Sequence, residues 1–344
     1  MTEATKPAPS PLLEVKNLRK YFPIHTGGLI RRAVGHVRAV DDVSFFINAG
    51  ETLGLVGESG CGKTTASRCI LRAYTPTAGQ MLYRNGDGST IDLAKLSRAE
   101  LRPLRAQIQM IFQDPYGSLN PRMTLFDIVG EPLLMNGMKN RNERTERVAE
   151  LLRLVGLRPE FMQRFPHAFS GGQRQRIGIA RALAPNPRLV VADEPVSALD
   201  VSVQAQILNL LLELQKRLNL TYLFVAHNLS VVKHTCDRVT VMYVGKIVET
   251  ARTPELFRAP KHPYTAALMA AVPVPDPRVQ SGNVELKGDV PSPANPPSGC
   301  YFHPRCPFVI DLCKTAAPIY REITPGRFVS CHRADELQLA GVAT

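Results

Sequence analysis

The feature that most constrains the fold is the run Gly57-Glu-Ser-Gly-Cys-Gly-Lys63-Thr64, which matches G-x-x-x-x-G-K-[ST]. It sits between a short apolar stretch with strand character, TLGLV, and a helix that starts inside GCGKTTASRCILRAY. Strand, glycine turn and helix in that order make a phosphate-binding loop. The glycines let backbone N–H groups turn inward around a polyphosphate, and the helix N-terminus adds the positive end of its dipole. Lys63 is expected to hold the β- and γ-phosphates and the Thr64 hydroxyl to serve as a Mg²⁺ ligand. Gly57, Ser59, Gly60, Cys61, Gly62 and Thr65 complete the expected nucleotide-binding loop.

A buried strand followed by a helix needs neighbours of the same kind, and the chain supplies them. LLEV and VRAVDDVSFFI precede the loop as strands of an N-terminal β part, and QIQMIF alternates like a strand before the turn-rich FQDPYGSLNP. From about residue 124 to 169 the pattern becomes helical. In ERVAELLRLVGL, Val148, Leu151, Leu152 and Val155 recur at i, i+3, i+4 and i+7, with Gly156 placed as a C-cap. The second half returns to α/β alternation: RLVVAD as a buried strand, VSVQAQILNLLLELQKRL as a long amphipathic helix, TYLFVAH as a strand and RVTVMYVGKIVE as a hairpin. Strand, helix and strand in succession imply a mainly parallel sheet covered by helices. The predicted class is therefore α/β, with residues 120–175 as an inserted helical subdomain.

Leu189-Val-Val-Ala192 delivers Asp193 to the carboxyl edge of that sheet, where ligands bind in open α/β folds. Asp193 suits Mg²⁺, directly or through water. Glu194 follows at once, and a carboxylate there can orient or polarise a water that attacks a γ-phosphate. Two adjacent acids can equally be a solvated strand edge; the phosphate-binding loop favours the catalytic reading.

With 344 residues the chain exceeds one compact core of usual size, so a large domain with an appendage is expected. No run of 18 apolar residues is present, and the polar, Pro-rich start MTEATKPAPSP has no apolar core of a secretory signal, which makes the cytoplasm the expected compartment. The net charge of +12 points to an anionic partner, whether nucleic acid, nucleotide phosphate or membrane surface. Four of the seven cysteines, Cys300, Cys306, Cys313 and Cys331, fall at the C-terminal end with the spacing C-x5-C-x6-C-x17-C. In a cytosolic chain such a group reads as metal ligation before disulfides, and four thiolates suit Zn²⁺ or a [4Fe–4S] cluster. The preceding PVPDPRVQSGNVELKGDVPSPANPPSG reads as an extended linker.

Phe169-Ser170-Gly171-Gly172-Gln173 resembles the LSGGQ signature of ATP-binding cassette (ABC) ATPases, with Phe169 in place of Leu. Gln113, Asp200 in SALD, and His227 stand in the order of that family's Q-loop, D-loop and switch histidine. The resemblance covers about residues 12–255. It implies an ABC cassette of the P-loop NTPase class with an N-terminal antiparallel β part and a helical signature subdomain. It further implies ATP and Mg²⁺ as ligands, Gln113 at the metal and the attacking water, and His227 at the γ-phosphate. In Leu18-Arg-Lys-Tyr-Phe22, Phe22 falls where the family stacks a ring on adenine, with Tyr21 beside it. Ser170 and the two glycines open a helix whose N–H groups can grip a γ-phosphate, and the family uses that grip in a head-to-tail dimer, each ATP lying between one chain's P-loop and the other's signature.

A narrower resemblance comes from Phe112-Gln-Asp-Pro-Tyr-Gly-Ser-Leu-Asn-Pro121, Lys261-His-Pro-Tyr-Thr265 and Gly299-Cys-Tyr-Phe-His-Pro-Arg-Cys306. These resemble the ATPase subunits of oligopeptide and dipeptide permeases, a group that includes importers of nickel, opines and some oligosaccharides. The resemblance implies a cassette over residues 1–260 and a small cysteine-containing extension over 261–344 in which a [4Fe–4S] cluster is favoured over Zn²⁺. The implied partners are a second ATPase subunit, a diverged sibling or the same chain, two membrane permease subunits, and indirectly an extracytoplasmic solute-binding protein. The place would be the cytoplasmic face of the membrane. A soluble ABC ATPase of DNA repair or translation is the alternative that the charge would suit. Repair members separate their ATP motifs by long coiled coils, however, whereas 130 positions separate Lys63 from Asp193. Translation members usually carry two cassettes, so no nucleic acid is expected here. A regulatory module with a dead ATP site is disfavoured by the joint presence of Lys63, Asp193, Glu194 and His227.

Overall fold

The computed structural model describes residues 11–25, 33–270 and 288–341. The first ten residues, with the expected lack of a signal segment, and most of the expected linker, residues 271–287, lie outside the described residues. The chain divides into two compact units, one of residues 1–14, 46–51 and 82–223, the other of 15–45, 52–81 and 224–344.

In the unit that holds the glycine loop, the strand Thr52–Val56 runs parallel to Arg238–Tyr243, Leu53 facing Arg238 and Val56 facing Val241. All residues of both strands are buried, as in strands covered on both faces. The second strand turns back into Lys246–Arg252 through Val244 and Gly245, both at positive φ, the backbone that a two-residue hairpin turn requires. The expected hairpin is thus present. Beyond it lies an unexpected addition. Arg327–Val329 pairs with Lys246–Arg252, Glu249 facing Val329, and Arg321–Thr324 pairs with Arg327–Val329 in turn.

The extension therefore does not rely on its cysteines alone for order. It adds two strands to the sheet edge and buries Phe302, Val329, Ala334 and Leu337. It also reaches a buried charge: Arg327 Nη2 lies 2.7 Å from Glu249 Oε1, with side-chain exposures of 9% and 0%. Burial raises the Glu249 carboxyl above its usual range, and Arg327 together with the N–H of Lys261 opposes that rise. Breaking such a pair leaves one charge buried alone, which costs more than the pair ever contributes.

In the other unit Ile108–Ile111 runs parallel to the wholly buried Leu189–Asp193, Ile111 facing Ala192. The helical stretch resolves into Leu125–Met135, Arg141–Leu154 and Gly171–Leu183, with 3-10 turns at Pro159–Gln163 and Pro166–Ala168. Thr124 and Asp127 form a capping box that starts the first helix. The second buries Val148, Leu151 and Leu152 as the periodicity predicts, and Gly156 at φ +74° carries the chain away from its end. A hairpin that the sequence reading passed over pairs Ala78–Arg84 with Thr90–Asp92, Leu82 facing Asp92, around a turn in which Asn85 N–H donates to Ser89 O. Val201–Leu218 is the long helix expected. No helix among the described residues is long and apolar enough to cross a membrane.

Candidate functional site

The glycine loop is built where side chains do not fit. At Gly57, φ +153°, a Cβ would lie 2.1 Å from Met242 O, and at Gly62, φ +108°, 2.0 Å from Ala39 O. Any other residue at either place would displace backbone. Gly62 precedes the helix Lys63–Ile70 and gives its first turn no side-chain cap, the arrangement of a helix end that receives an anion. Lys63 is 5% exposed, and its Nζ donates to Gly57 O at 2.7 Å and Glu58 O at 3.0 Å, with Cys61 Sγ at 3.7 Å. A buried ammonium held only by neutral dipoles gains from an added anion. The loop thus fits the phosphate chain that the sequence predicts. Burial raises the Cys61 thiol although Lys63 pulls it down.

Near the N-terminus the two neighbouring rings differ in how they are anchored. Tyr21 Oη donates to Asp41 Oδ1 at 2.5 Å, and burial followed by that bond pushes its hydroxyl up to about 12. Phe22 is half-buried, edge-on to Tyr74 at 5.5 Å, with Lys20 Nζ 4.9 Å from its ring centre. Tyr21 is thus tied down by a hydrogen bond, while Phe22 makes ring and cation contacts alone among those described. His227 follows the strand Thr221–Ala226 and is exposed. Thr64 and Thr65 stand in the first turn of the loop helix.

The second unit holds the acids. Asp193 ends its strand 4% exposed, and Glu194 follows with φ +47°, a conformation uncommon for a residue with a side chain. Ser197 holds it there, its N–H donating to Glu194 O at 3.3 Å and its hydroxyl to the same oxygen at 3.1 Å. Gln113 Nε2 donates to Glu194 Oε2 at 2.9 Å. Two residues 81 positions apart, read from separate motifs, are in contact, and a carboxylate fixed in this way can align a water. Gln175, 2% exposed, donates to Phe112 O at 3.3 Å and steadies the segment that carries Gln113.

Ser170 caps the helix Gly171–Leu183 as expected. Its hydroxyl accepts from Gln173 N–H at 3.4 Å while Gln173 Oε1 accepts from Ser170 N–H at 3.1 Å, a capping box the sequence reading did not identify. No acidic residue sits in this first turn to compete with an incoming anion. A Cβ on Gly172 would lie 2.4 Å from Val203 Cγ1, and one on Gly171 3.4 Å from Leu199 Cδ2. The glycines therefore also let Leu199 of the Ser-Ala-Leu-Asp segment and Val203 of the helix after it pack on the signature helix. Asp200, the N-cap of Val201–Leu218, is exposed.

Cys300, Cys306 and Cys331 are half-buried and Cys313 is buried. Burial pushes Cys300 up to about 12, and the charges of Cys313, Cys331 and Cys306 push in the same direction; Cys331 is raised to about 11 by burial and by its neighbours Cys306 and Cys313. Among the described residues no group of three or more His, Cys, Asp or Glu side chains is arranged to hold a metal ion.

Glu58, Tyr264 and Arg305, prominent in the geometry around the loop, were not singled out as functional residues. All three stand in motifs that the sequence marks, Gly57–Thr64, Lys261–Thr265 and Gly299–Cys306, but no spacing rule reveals that these motifs meet.

The family described as ABC transporter matches residues 40–197, and the oligopeptide/dipeptide transporter C-terminal region matches 248–313. The chain is 55% identical to the oligopeptide transport ATP-binding protein AppF of Bacillus subtilis, over 93% of this chain and 97% of that one. It is 51% identical to the putative peptide import ATP-binding protein BOV_A0347 of Brucella ovis, over 94% and 98%. Among solved structures, the dimeric post-hydrolysis state of the ATP-binding cassette MJ0796 bound to ADP and Pi is similar at TM-score 0.60 and 30% identity, covering 70% of this chain and 98% of that one.

Proposed function

The chain belongs to the ABC transporter ATPases of the oligopeptide/dipeptide type, and from that membership we propose that it hydrolyses ATP to power import of di- or oligopeptides through membrane permease subunits. The observation that carries the reading is the Gln113–Glu194 contact at 2.9 Å, a poised carboxylate in a chain that also has a complete phosphate-binding loop. Lys63 binds the phosphates, Thr64, Asp193 and Gln113 offer the oxygen ligands that Mg²⁺ prefers, and Phe22 meets the adenine. Bound Mg²⁺ supplies charge neutralisation at the phosphates. Glu194 orients the attacking water, and His227 contacts the γ-phosphate. Ser170, Gly171, Gly172, Gln173 and Asp200 serve the partner cassette's ATP in a head-to-tail pair, with a diverged sibling as the favoured partner. The work is done at the cytoplasmic face of the membrane, with residues 1–260 as cassette and 261–344 as extension.

The test is purification with its membrane partners in nanodiscs. ATP turnover is expected to rise when a peptide-loaded solute-binding protein is added. Nickel, opine or oligosaccharide loading that stimulates where peptide does not would move the substrate class. Stimulation by DNA or ribosomes, with no membrane partner recovered, would move the protein to a different class.

The finer reading of the extension is that Cys300, Cys306, Cys313 and Cys331 hold a [4Fe–4S] cluster with a structural role. What supports it is the gathering of four of the seven cysteines in the last 45 residues, with the spacing C-x5-C-x6-C-x17-C. Anaerobically purified protein is expected to be brown, with iron and acid-labile sulfide in about fourfold excess over protein. Cys306→Ser is expected to bleach it. One zinc per chain without sulfide would put a zinc site in its place, and a colourless, metal-free protein with an ordered extension would remove both.

A further inference from the structure

The cysteine-bearing extension reaches the nucleotide loop itself. Cys300 and Cys306 bracket the five residues Tyr301-Phe-His-Pro-Arg305. Arg305 Nη1 lies 3.1 and 3.4 Å from the two carboxylate oxygens of Glu58, the second residue of the loop. Arg305 is 8% exposed at its side chain and Glu58 26%, so the pair is largely shielded from water. Glu58 is gripped at two further points: its N–H donates to Tyr264 Oη at 2.9 Å, and its carbonyl accepts from Lys63 Nζ at 3.0 Å. One peptide of the loop therefore connects Arg305 to the lysine that holds phosphate.

The other end of the segment reaches the base side. Tyr301 Oη donates to Asp41 Oδ2 at 2.7 Å, and Asp41 takes Tyr21 Oη on its other oxygen. Tyr21 is the neighbour of Phe22. Between the two contacts Phe302, 1% exposed, packs edge-on to Tyr243 at 5.3 Å and against Tyr264 at 5.5 Å. That aromatic cluster gives the segment a rigid seat under the loop.

We propose that Tyr301–Arg305 is a clamp through which the extension sets nucleotide affinity, with Arg305 and Tyr301 as positioning residues that fix the loop and the Tyr21–Phe22 segment of the strand Pro11–His25 without touching the nucleotide. Arg305 is paired with the Glu58 carboxylate and Tyr301 with the Asp41 carboxylate. The effect runs through preorganisation: a loop already held in its binding shape loses less freedom when it closes on a ligand. The inference rests on the ATP-binding reading, so its test contains an independent check of that reading.

Equilibrium binding of a fluorescent ATP analogue with Mg²⁺ should be measured on the full chain. Native binding together with its loss in Lys63→Ala establishes the nucleotide site whatever the clamp does. Arg305→Ala is expected to raise Kd about fivefold or more, the lower end of ordinary coupling between sites. Arg305→Lys should recover much of the affinity, and Tyr301→Phe should also raise Kd. With membrane partners present, the Arg305→Ala change should appear in KM while kcat at saturating ATP stays close to native. Glu58→Gln should raise Kd as well, and combining it with Arg305→Ala should add little further, because both remove one interaction. Native affinity in both Arg305→Ala and Tyr301→Phe overturns the clamp. Should Arg305→Ala fail to fold, native affinity in Glu58→Gln overturns it, and a raised Kd there supports it.

Discussion

Glu194→Gln is expected to slow ATP hydrolysis by about 10²–10³ while leaving MgATP binding intact, the usual cost of removing one electrostatic contact made in the transition state. The substitution is well suited to isolating charge. Glutamine keeps an oxygen to accept from Gln113 Nε2, the bond now made at 2.9 Å. It also keeps the backbone at φ +47°, which Ser197 secures through the Glu194 carbonyl rather than through its side chain. What changes is the ability to draw a proton from, or polarise, the attacking water. With hydrolysis blocked and binding retained, ATP should hold two cassettes together, and a dimer should persist on gel filtration in MgATP. Phosphate release is measured with the membrane partners present. Turnover at the native rate in that assembly would show that another group orients the water.

The parts of this protein that could be read from sequence are those where local backbone demand and chemistry coincide. Gly57 and Gly62 are obligatory because carbonyls of Met242 and Ala39 leave no room for a Cβ, and that same demand makes the motif visible. The helix Arg141–Leu154 and its exit at Gly156 follow from a period that packing then uses. The strands Thr52–Val56 and Leu189–Asp193 announce themselves as continuous apolar runs because both faces are covered. What was not legible has a weak local pattern or depends on distant pairing. The hairpin Ala78–Arg84 with Thr90–Asp92 has mixed burial and no clean alternation, so its period is weak, although Gly86 and Gly88 mark the turn. Arg321–Thr324 and Arg327–Val329 are too short to signal alone and are strands because Lys246–Arg252 offers an edge. Arg305 and Glu58 stand 247 positions apart, and nothing local to either anticipates the other.

In a dimer of two copies of this chain, Ser170→Arg is expected to abolish hydrolysis and to be rescued by a partner copy that carries Lys63→Ala. The first part follows from the helix end. Ser170 Oγ accepts from Gln173 N–H in a capping box, and losing such a cap costs about 1 kcal/mol locally. More damaging is the long cation set at the positive end of a helix that is meant to receive an anion. The second part follows from pairing. If two copies of this chain form the dimer, mixing the two variants produces pairs with one intact composite site, from the loop of the Ser170→Arg chain and the signature of the Lys63→Ala chain. Random twofold association leaves about a quarter of the native number of sites intact, so a comparable share of activity should return. If the partner is a diverged sibling, the same rescue requires Lys63→Ala in this chain and the signature change in the sibling, which leaves the composite site of the opposite pairing intact. Activity measured against protein concentration completes the test. Hydrolysis in a strictly monomeric preparation, independent of concentration and unaffected by Ser170→Arg, would place the signature's contribution within a single chain and end the trans arrangement.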